Sequence, residues 1–111
     1  PQGMGKGPAG NMDQMLKQAQ QMQDKITALQ ADLEQREFTA SVGGGAVEIK
    51  INGKREVLSL NIKPEVVDPE DVEMLQDLIM SAFNEAVHNL DEVSDAEMSE
   101  LTGGVSFPGL F

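Results

Sequence analysis

Residues 15–33 read MLKQAQQMQDKITALQADL. Its apolar residues recur at alternating spacings of four and three, which is typical of a helix with one apolar seam. The seam consists of Met15, Ala19, Met22, Ile26, Leu29 and Leu33. A helix of this length extends past any small sheet that it could cover, so part of the seam needs another partner. We therefore expect these residues to form a homodimer interface, although both helices of a monomer could instead lie on one sheet face.

Three short segments after this helix alternate apolar and polar residues, which is the period of half-buried strands. They read FTASV, AVEIKI and VLSLNI, and together they predict a three-stranded antiparallel sheet. Matching the apolar faces favours a four-residue loop, 52–55, over a two-residue Asn-Gly turn between the last two strands. Ile49 should then lie opposite Leu58, and Val47 opposite Leu60.

A second long helix is predicted after the strands. Asp68 is expected to be its N-cap and Pro69 its first residue, which is a favoured arrangement at helix starts. Its apolar residues recur at helical spacing, and Gly103 with Gly104 should end it. The predicted order is α-β-β-β-α, which places the chain in the α+β class with two long helices.

The chain divides most simply into one domain with two flanking segments. Residues 1–11 contain many glycines and are expected to form a flexible arm, ending at Asn11 as the N-cap of the first helix. Residues 12–102 should form the single domain, and residues 103–111 an apolar tail.

Charge is distributed unevenly along the 111 residues, whose net charge is −11. All eight Lys and Arg residues lie within residues 6–63, whereas the later part carries twelve Asp and Glu and no Lys or Arg. An acidic surface repels phosphates, so any surface that faces nucleic acid should lie in the first 63 residues.

Catalytic and metal-binding patterns are nearly missing from the sequence. It has no cysteine, so it offers neither disulfides nor thiolate chemistry. Glu85 and His88 share the helical spacing of some metal sites, but both lie away from the apolar stripe and a solvated histidine is the favoured interpretation. We expect no enzyme activity, metal, cofactor or small-molecule substrate, and no membrane span, since no run of 18 apolar residues occurs.

Several stretches together resemble one known family. MLKQAQQMQDKI, VEIKINGKREVLSLNIKPEVV, DVEMLQDLIMSAFNEAV and the closing LTGG with PGLF are similar to the YbaB/EbfC family of bacterial nucleoid-associated proteins. The resemblance covers almost the whole chain in the right order. It implies a small cytoplasmic protein of the nucleoid that forms a tweezer-like homodimer and binds DNA without a cofactor or catalysis.

The resemblance also implies where DNA contacts lie, because family contacts are attributed to helical ends beside the dimer cleft. On the first helix the matching cations are Lys17, Lys25 and Arg36. Lys50, Lys54 and Arg55, in and near the hairpin, complete the predicted DNA-binding set. This chain departs from the family pattern in having no Lys or Arg near the end of its last helix.

Two functions are therefore expected in order of preference. The first is a homodimeric, nucleoid-associated protein that binds duplex DNA mainly through phosphate contacts and acts in nucleoid organisation or gene regulation. The alternative is an acidic dimeric scaffold that binds another protein through its Met-rich seam and the tail VSFPGLF.

Overall fold

Two long helices flank a three-stranded sheet. The computed structural model of the chain describes residues 2–103, with the side chains of residues 12–103. Its elements are helix α1 (Gln2–Gln35), strand β1 (Glu37–Val42), strand β2 (Val47–Asn52), strand β3 (Val57–Ile62) and helix α2 (Val72–Leu101). A short 3-10 turn, Pro64–Val66, lies between β3 and α2. The predicted α-β-β-β-α order and the α+β class are confirmed.

Strand β2 is the central strand, and it pairs antiparallel with β1 on one side and β3 on the other. Phe38 lies opposite Ile51, and Ala40 lies opposite Ile49. All four side chains are buried on one face of the sheet, as the alternating pattern of each strand requires. The predicted antiparallel sheet is therefore confirmed.

The predicted register of β2 with β3 is wrong. Ile49 lies opposite Leu60 rather than Leu58, and Val47 lies opposite Ile62. The loop closes after three residues, 53–55, instead of four, and a β-bulge then shifts the ladder. The two changes together move each partner by two positions, which leaves the same side chains on the same face. Matching apolar faces could not distinguish these registers.

Helix α2 packs on β1 and β2 rather than on β3. Ala82, Ala86 and Leu90 are buried against the sheet, and the two small alanines let the helix backbone approach it closely. Strand β3 consequently lacks a cover, so Leu58 is 48% exposed and Leu60 is 41% exposed.

Helix α1 packs only along its second half. Ile26 and Leu33 keep 3% and 5% of their surface exposed, and this half contacts α2 and β2. Nearer the N-terminus Met15 is 67% exposed. The helix begins at Gln2, so Asn11 lies inside it and is not its N-cap.

The projecting helix makes the chain elongated. The principal extents are 84 × 20 × 17 Å and the radius of gyration is 22.4 Å. A compact domain of this length would have a radius of gyration of about 13 Å. The predicted overhang of the apolar seam is therefore present in the folded chain.

Helix α2 starts three residues later than expected. Asp71 is its N-cap, with a side-chain oxygen that accepts the Met74 backbone N–H at 3.2 Å. Asp68 instead caps a preceding turn, since its side chain accepts the Glu70 N–H at 2.9 Å. An Asp-Pro pair suits the start of a β-turn as well as that of a helix, which explains the wrong prediction. At the other end Gly103 takes a φ of 66°, so the predicted stop is confirmed.

The predicted division into arm, domain and tail stays a prediction. Of the expected apolar tail, residues 104–111 lie outside the described residues.

Candidate nucleic-acid interface

The loop between β2 and β3 rests directly on the end of helix α1. A β-carbon built on Gly53 would lie 1.8 Å from the backbone oxygen of Leu33 and 2.7 Å from the Cα of Glu34. No side chain fits at such distances, so only glycine allows the loop backbone to touch the helix backbone. This contact holds the loop in place beside the end of helix α1, and we call the region where the two meet the junction. The next two residues of the loop, Lys54 and Arg55, lie at this junction.

The loop has the geometry of a three-residue hairpin turn. The Arg55 N–H donates to the Asn52 carbonyl at 3.0 Å, and the Asn52 N–H donates to the Glu56 carbonyl at 3.0 Å. The Asn52 side-chain oxygen also accepts the N–H groups of Lys54 and Glu56, at 2.8 and 3.0 Å. In such hairpins the third loop residue is left-handed and is usually glycine.

Here the left-handed position holds an arginine. Arg55 has a φ of 66° and is the only non-glycine residue with positive φ among those that the structure describes. This backbone conformation costs an L-residue roughly 1–2 kcal/mol relative to the right-handed one. Strained residues of this kind occur preferentially at functional sites. The side chain is half exposed and carries the planar guanidinium that suits phosphate oxygens.

Both loop cations lie against carboxylates of other elements. The Arg55 guanidinium donates to an Asp91 oxygen of helix α2 at 2.8 Å. The Lys54 ammonium lies 3.9 Å from a Glu34 oxygen at the end of helix α1. Arg55 and Asp91 also line an open cleft of about 260 Å³ between the two helices and the loop. The loop cations are therefore accessible, but their charges are locally balanced.

Arg36 joins the end of helix α1 to helix α2. Its guanidinium donates to both carboxylate oxygens of Glu97, one of them at 2.7 Å, and to Asp32 at 2.6 Å. The hydrogen bonds with Glu97 and then Asp32 raise the pKa of Arg36 above its ordinary value, and the hydrogen bond from Arg36 lowers the pKa of Glu97. This bidentate arrangement marks Arg36 as a bridge between the helices.

The remaining predicted cations lie on helix α1 and on strand β2. Lys17 and Lys25 are exposed on helix α1, about 12 Å apart along its axis. No carboxylate among the described side chains lies within ion-pair distance of either lysine. Lys50 lies on the polar face of β2, with its ammonium 3.4 Å from Glu37. The structure thus places Lys54 and Arg55 on the loop that rests on the end of helix α1 and Arg36 just after that helix end, with Lys50 on β2 and Lys17 and Lys25 farther along helix α1.

The described residues offer no metal-binding cluster. His88 is exposed on helix α2, and its Nε2 lies 3.0 Å from Glu92, one turn later. No group of His, Asp and Glu side chains in residues 12–103 could hold a metal ion. None of the helices in the described part is long and apolar enough to cross a membrane.

The carboxylate partners Asp91, Glu34 and Glu97 were missed by the sequence interpretation. Asp91 is 36 residues from Arg55, and no local pattern pairs residues at such a distance. The left-handed Arg55 had a signal, since a three-residue loop closed by Asn52 requires that conformation at its third residue.

The fold defines a small α+β protein in which two long helices accompany a three-stranded antiparallel sheet. A comparison with protein-family models identifies which family this is. The model of the YbaB/EbfC DNA-binding family matches residues 8–105, and the chain belongs to that family. The resemblance read from the sequence is confirmed.

Curated relatives carry a consistent description. A nucleoid-associated protein of Alkaliphilus metalliredigens is 57% identical over 107 residues, covering 96% of this chain and 94% of the relative. Nucleoid-associated proteins of Clostridium novyi and Clostridium acetobutylicum are 55% and 54% identical at similar coverage. Among solved structures, the uncharacterized protein HP0035 from Helicobacter pylori aligns with a TM-score of 0.68. It covers 81% of this chain and 95% of its own at 24% identity, which supports the fold alone.

Proposed function

We propose that this chain is a nucleoid-associated protein that binds duplex DNA through phosphate contacts and acts in nucleoid organisation or gene regulation. The observation that carries the proposal is membership of the YbaB/EbfC DNA-binding family over nearly the whole chain. The names of the close relatives support a place in the cytoplasmic nucleoid. Family membership likewise supports a binding role rather than catalysis.

The contacts that we propose are of two kinds. Lys17 and Lys25 project from helix α1 without a carboxylate partner among the described side chains, so their charges are available to phosphates. Arg55 and Lys54 stand on the loop that Gly53 fixes against helix α1. Arg36 and Lys50 stay in the proposed set, but each already has an acidic partner. Contacts of this type displace counterions and carry little base specificity.

The first prediction concerns DNA affinity and salt. Fluorescence anisotropy of a labelled duplex should show saturable binding that weakens as salt rises. The double variant Lys17→Gln, Lys25→Gln should bind more weakly. Its slope of log K against log salt should be shallower by about 1.8 for each chain that contacts the DNA, since each lost phosphate contact removes about 0.9. Lys63→Gln is the control, because Lys63 is an exposed lysine outside the proposed set. Equal slopes in all three proteins would contradict the proposed contacts.

We also propose that the functional form is a homodimer. The seam residues Ile26 and Leu33 are buried inside the chain, so the free part of the predicted interface is Met15 and Ala19, with Met22 and Leu29 half-buried. The uncovered face of β3 supplies a second apolar surface. An open edge strand with exposed leucines invites pairing with another chain.

The second prediction tests the dimer by light scattering coupled to size-exclusion chromatography. Wild-type protein should elute with twice the mass of one chain. Leu60→Lys places a charge on the uncovered apolar face and should yield a monomer, whereas Ser59→Lys points to the opposite face and should not. Met15→Lys tests the α1 seam in the same way. A wild-type monomer at every concentration would reject the dimer.

The acidic surface favours a second candidate function. Helix α2 carries many carboxylates and no Lys or Arg. A protein scaffold with a basic partner would use this surface, and the absence of DNA binding even at low salt would favour it.

A further inference from the structure

The three cations at the junction share one arrangement. Each lies against a carboxylate that a different part of the chain supplies: Glu34 for Lys54, Asp91 for Arg55, and Glu97 for Arg36. A phosphate that approaches any of them therefore meets a carboxylate of the protein that already occupies the cation. The strength of DNA binding then depends on how readily the cation exchanges that carboxylate for a phosphate.

The ion pair of Arg55 is suited to exchange. Its two side chains are 53% and 50% exposed, and surface pairs of this kind are held weakly. Only one contact joins them, from one guanidinium nitrogen to one oxygen of Asp91. The guanidinium can accordingly turn from the carboxylate to a phosphate oxygen without unfolding any element.

Lys54 has a looser contact of the same type. Its ammonium lies 3.9 Å from Glu34, and both side chains are largely exposed. Arg36 differs, because it donates two hydrogen bonds to Glu97 and two more to Asp32, and its side chain is less exposed. Breaking that network would release helix α1 from helix α2, so Arg36 is the least exchangeable of the three.

We propose that Asp91 competes with DNA phosphate for Arg55 and that Glu34 does the same for Lys54, so these two carboxylates set the affinity and salt dependence of DNA binding. The proposal rests on the proposed DNA-binding function and assigns a role to acidic residues within it. The hairpin loop holds Arg55 beside helix α2, where the Asp91 carboxylate limits how strongly the guanidinium binds phosphate.

The test is Asp91→Asn, measured by anisotropy with a labelled duplex across a salt series. Freed from its partner, Arg55 can neutralise a phosphate fully, so the slope of log K against log salt should steepen by up to about 0.9 for each chain that contacts the DNA. Affinity at low salt should rise about two- to fivefold, the range that a weak surface pair represents. Asp77→Asn is the matched control: it makes the same change on the same helix, about 21 Å before Asp91 along the axis, where no described cation pairs with it.

Three further variants locate the effect. Adding Arg55→Gln to Asp91→Asn should abolish the gain in slope and affinity, because the released cation is then gone. Glu34→Gln should give the same kind of gain as Asp91→Asn, and Lys54→Gln should remove it. This second pair keeps the proposal testable if Asp91→Asn does not fold, which far-UV circular dichroism would show.

The outcomes separate the inference from the proposed function. If the wild type binds DNA and both Asp91→Asn and Glu34→Gln behave like Asp77→Asn in affinity and slope, the competition is overturned and DNA binding stands. If no protein in the series binds at low salt, the proposed function fails as well. A steeper slope in Asp91→Asn that Arg55→Gln abolishes supports the competition.

Discussion

The proposed DNA-binding loop can lie against helix α1 because Gly53 has no side chain. At Gly53 a side chain would meet the backbone of Leu33 at 1.8 Å, and the backbone φ there is not positive, so the requirement for glycine is purely steric. Gly44 is the natural comparison, because it has a φ of 67° and open space around its β-carbon position.

The third prediction follows from this contrast. Gly53→Ala should lower the free energy of unfolding by about 3 kcal/mol, as overpacking does when neither backbone can move far. Gly44→Ala should cost about 1 kcal/mol, which is the strain of a left-handed alanine alone. Urea unfolding followed by circular dichroism measures both. Equal losses in the two variants would mean that the loop and the helix move apart easily.

Arg55 presents the opposite case, a position where glycine would fit better than the residue present. The fourth prediction is that the free energy of unfolding of Arg55→Gly exceeds that of Arg55→Ala by about 1 kcal/mol, because only alanine keeps the strain of the left-handed backbone. Urea unfolding measures this difference. Both variants lose the contact with Asp91, so that loss cancels in the comparison. Both should bind DNA more weakly than the wild type, which anisotropy would show. Undiminished binding would leave the strain at Arg55 without a functional reason.

Among the helices and strands, the features that depend on the local spacing of apolar residues were predicted from the sequence. The apolar period of two identified each strand, and the period between three and four identified both helices. The register of β3 was missed because a bulge shifts the pairing while it preserves the buried face. The start of helix α2 was missed because Asp68 and Pro69 suit a turn and a helix equally well.

The contact between the helix ends gives the fifth prediction. The pKa of Glu97 is lowered from its ordinary value of 4.5, chiefly by the hydrogen bond from Arg36. A carboxyl with a depressed pKa stabilises the fold above its unfolded pKa and loses that contribution as pH falls through the folded pKa. Glu97→Gln lacks the contribution at every pH. The stability difference between wild type and Glu97→Gln should therefore be largest near neutral pH and should shrink below pH 4.5.

Thermal unfolding at several pH values measures this difference. Glu100→Gln is the control, since no described cation pairs with Glu100. The change of the Glu97→Gln difference with pH should exceed that of Glu100→Gln. A constant difference for Glu97→Gln would show that the pairing with Arg36 contributes nothing to stability.

At the scale of the molecule, length and charge are arranged along one axis. The chain is 84 Å long because half of helix α1 extends beyond the sheet, as the apolar seam predicted. The sequence could not predict that the hairpin cations pair with acidic residues of the helices. Those pairs join residues that are adjacent only after the hairpin folds onto both helices. The identity of the family, in contrast, followed from ordered motifs along the chain.

The uncovered strand β3 has a consequence for how any stability of this protein is measured. If a second chain covers Leu58 and Leu60, unfolding also separates two molecules, and mass action links the two events. The melting temperature then rises with the total concentration of protein, and diluted samples are less stable than concentrated ones. Under the proposed dimer, free energies of variants are comparable only at one chain concentration.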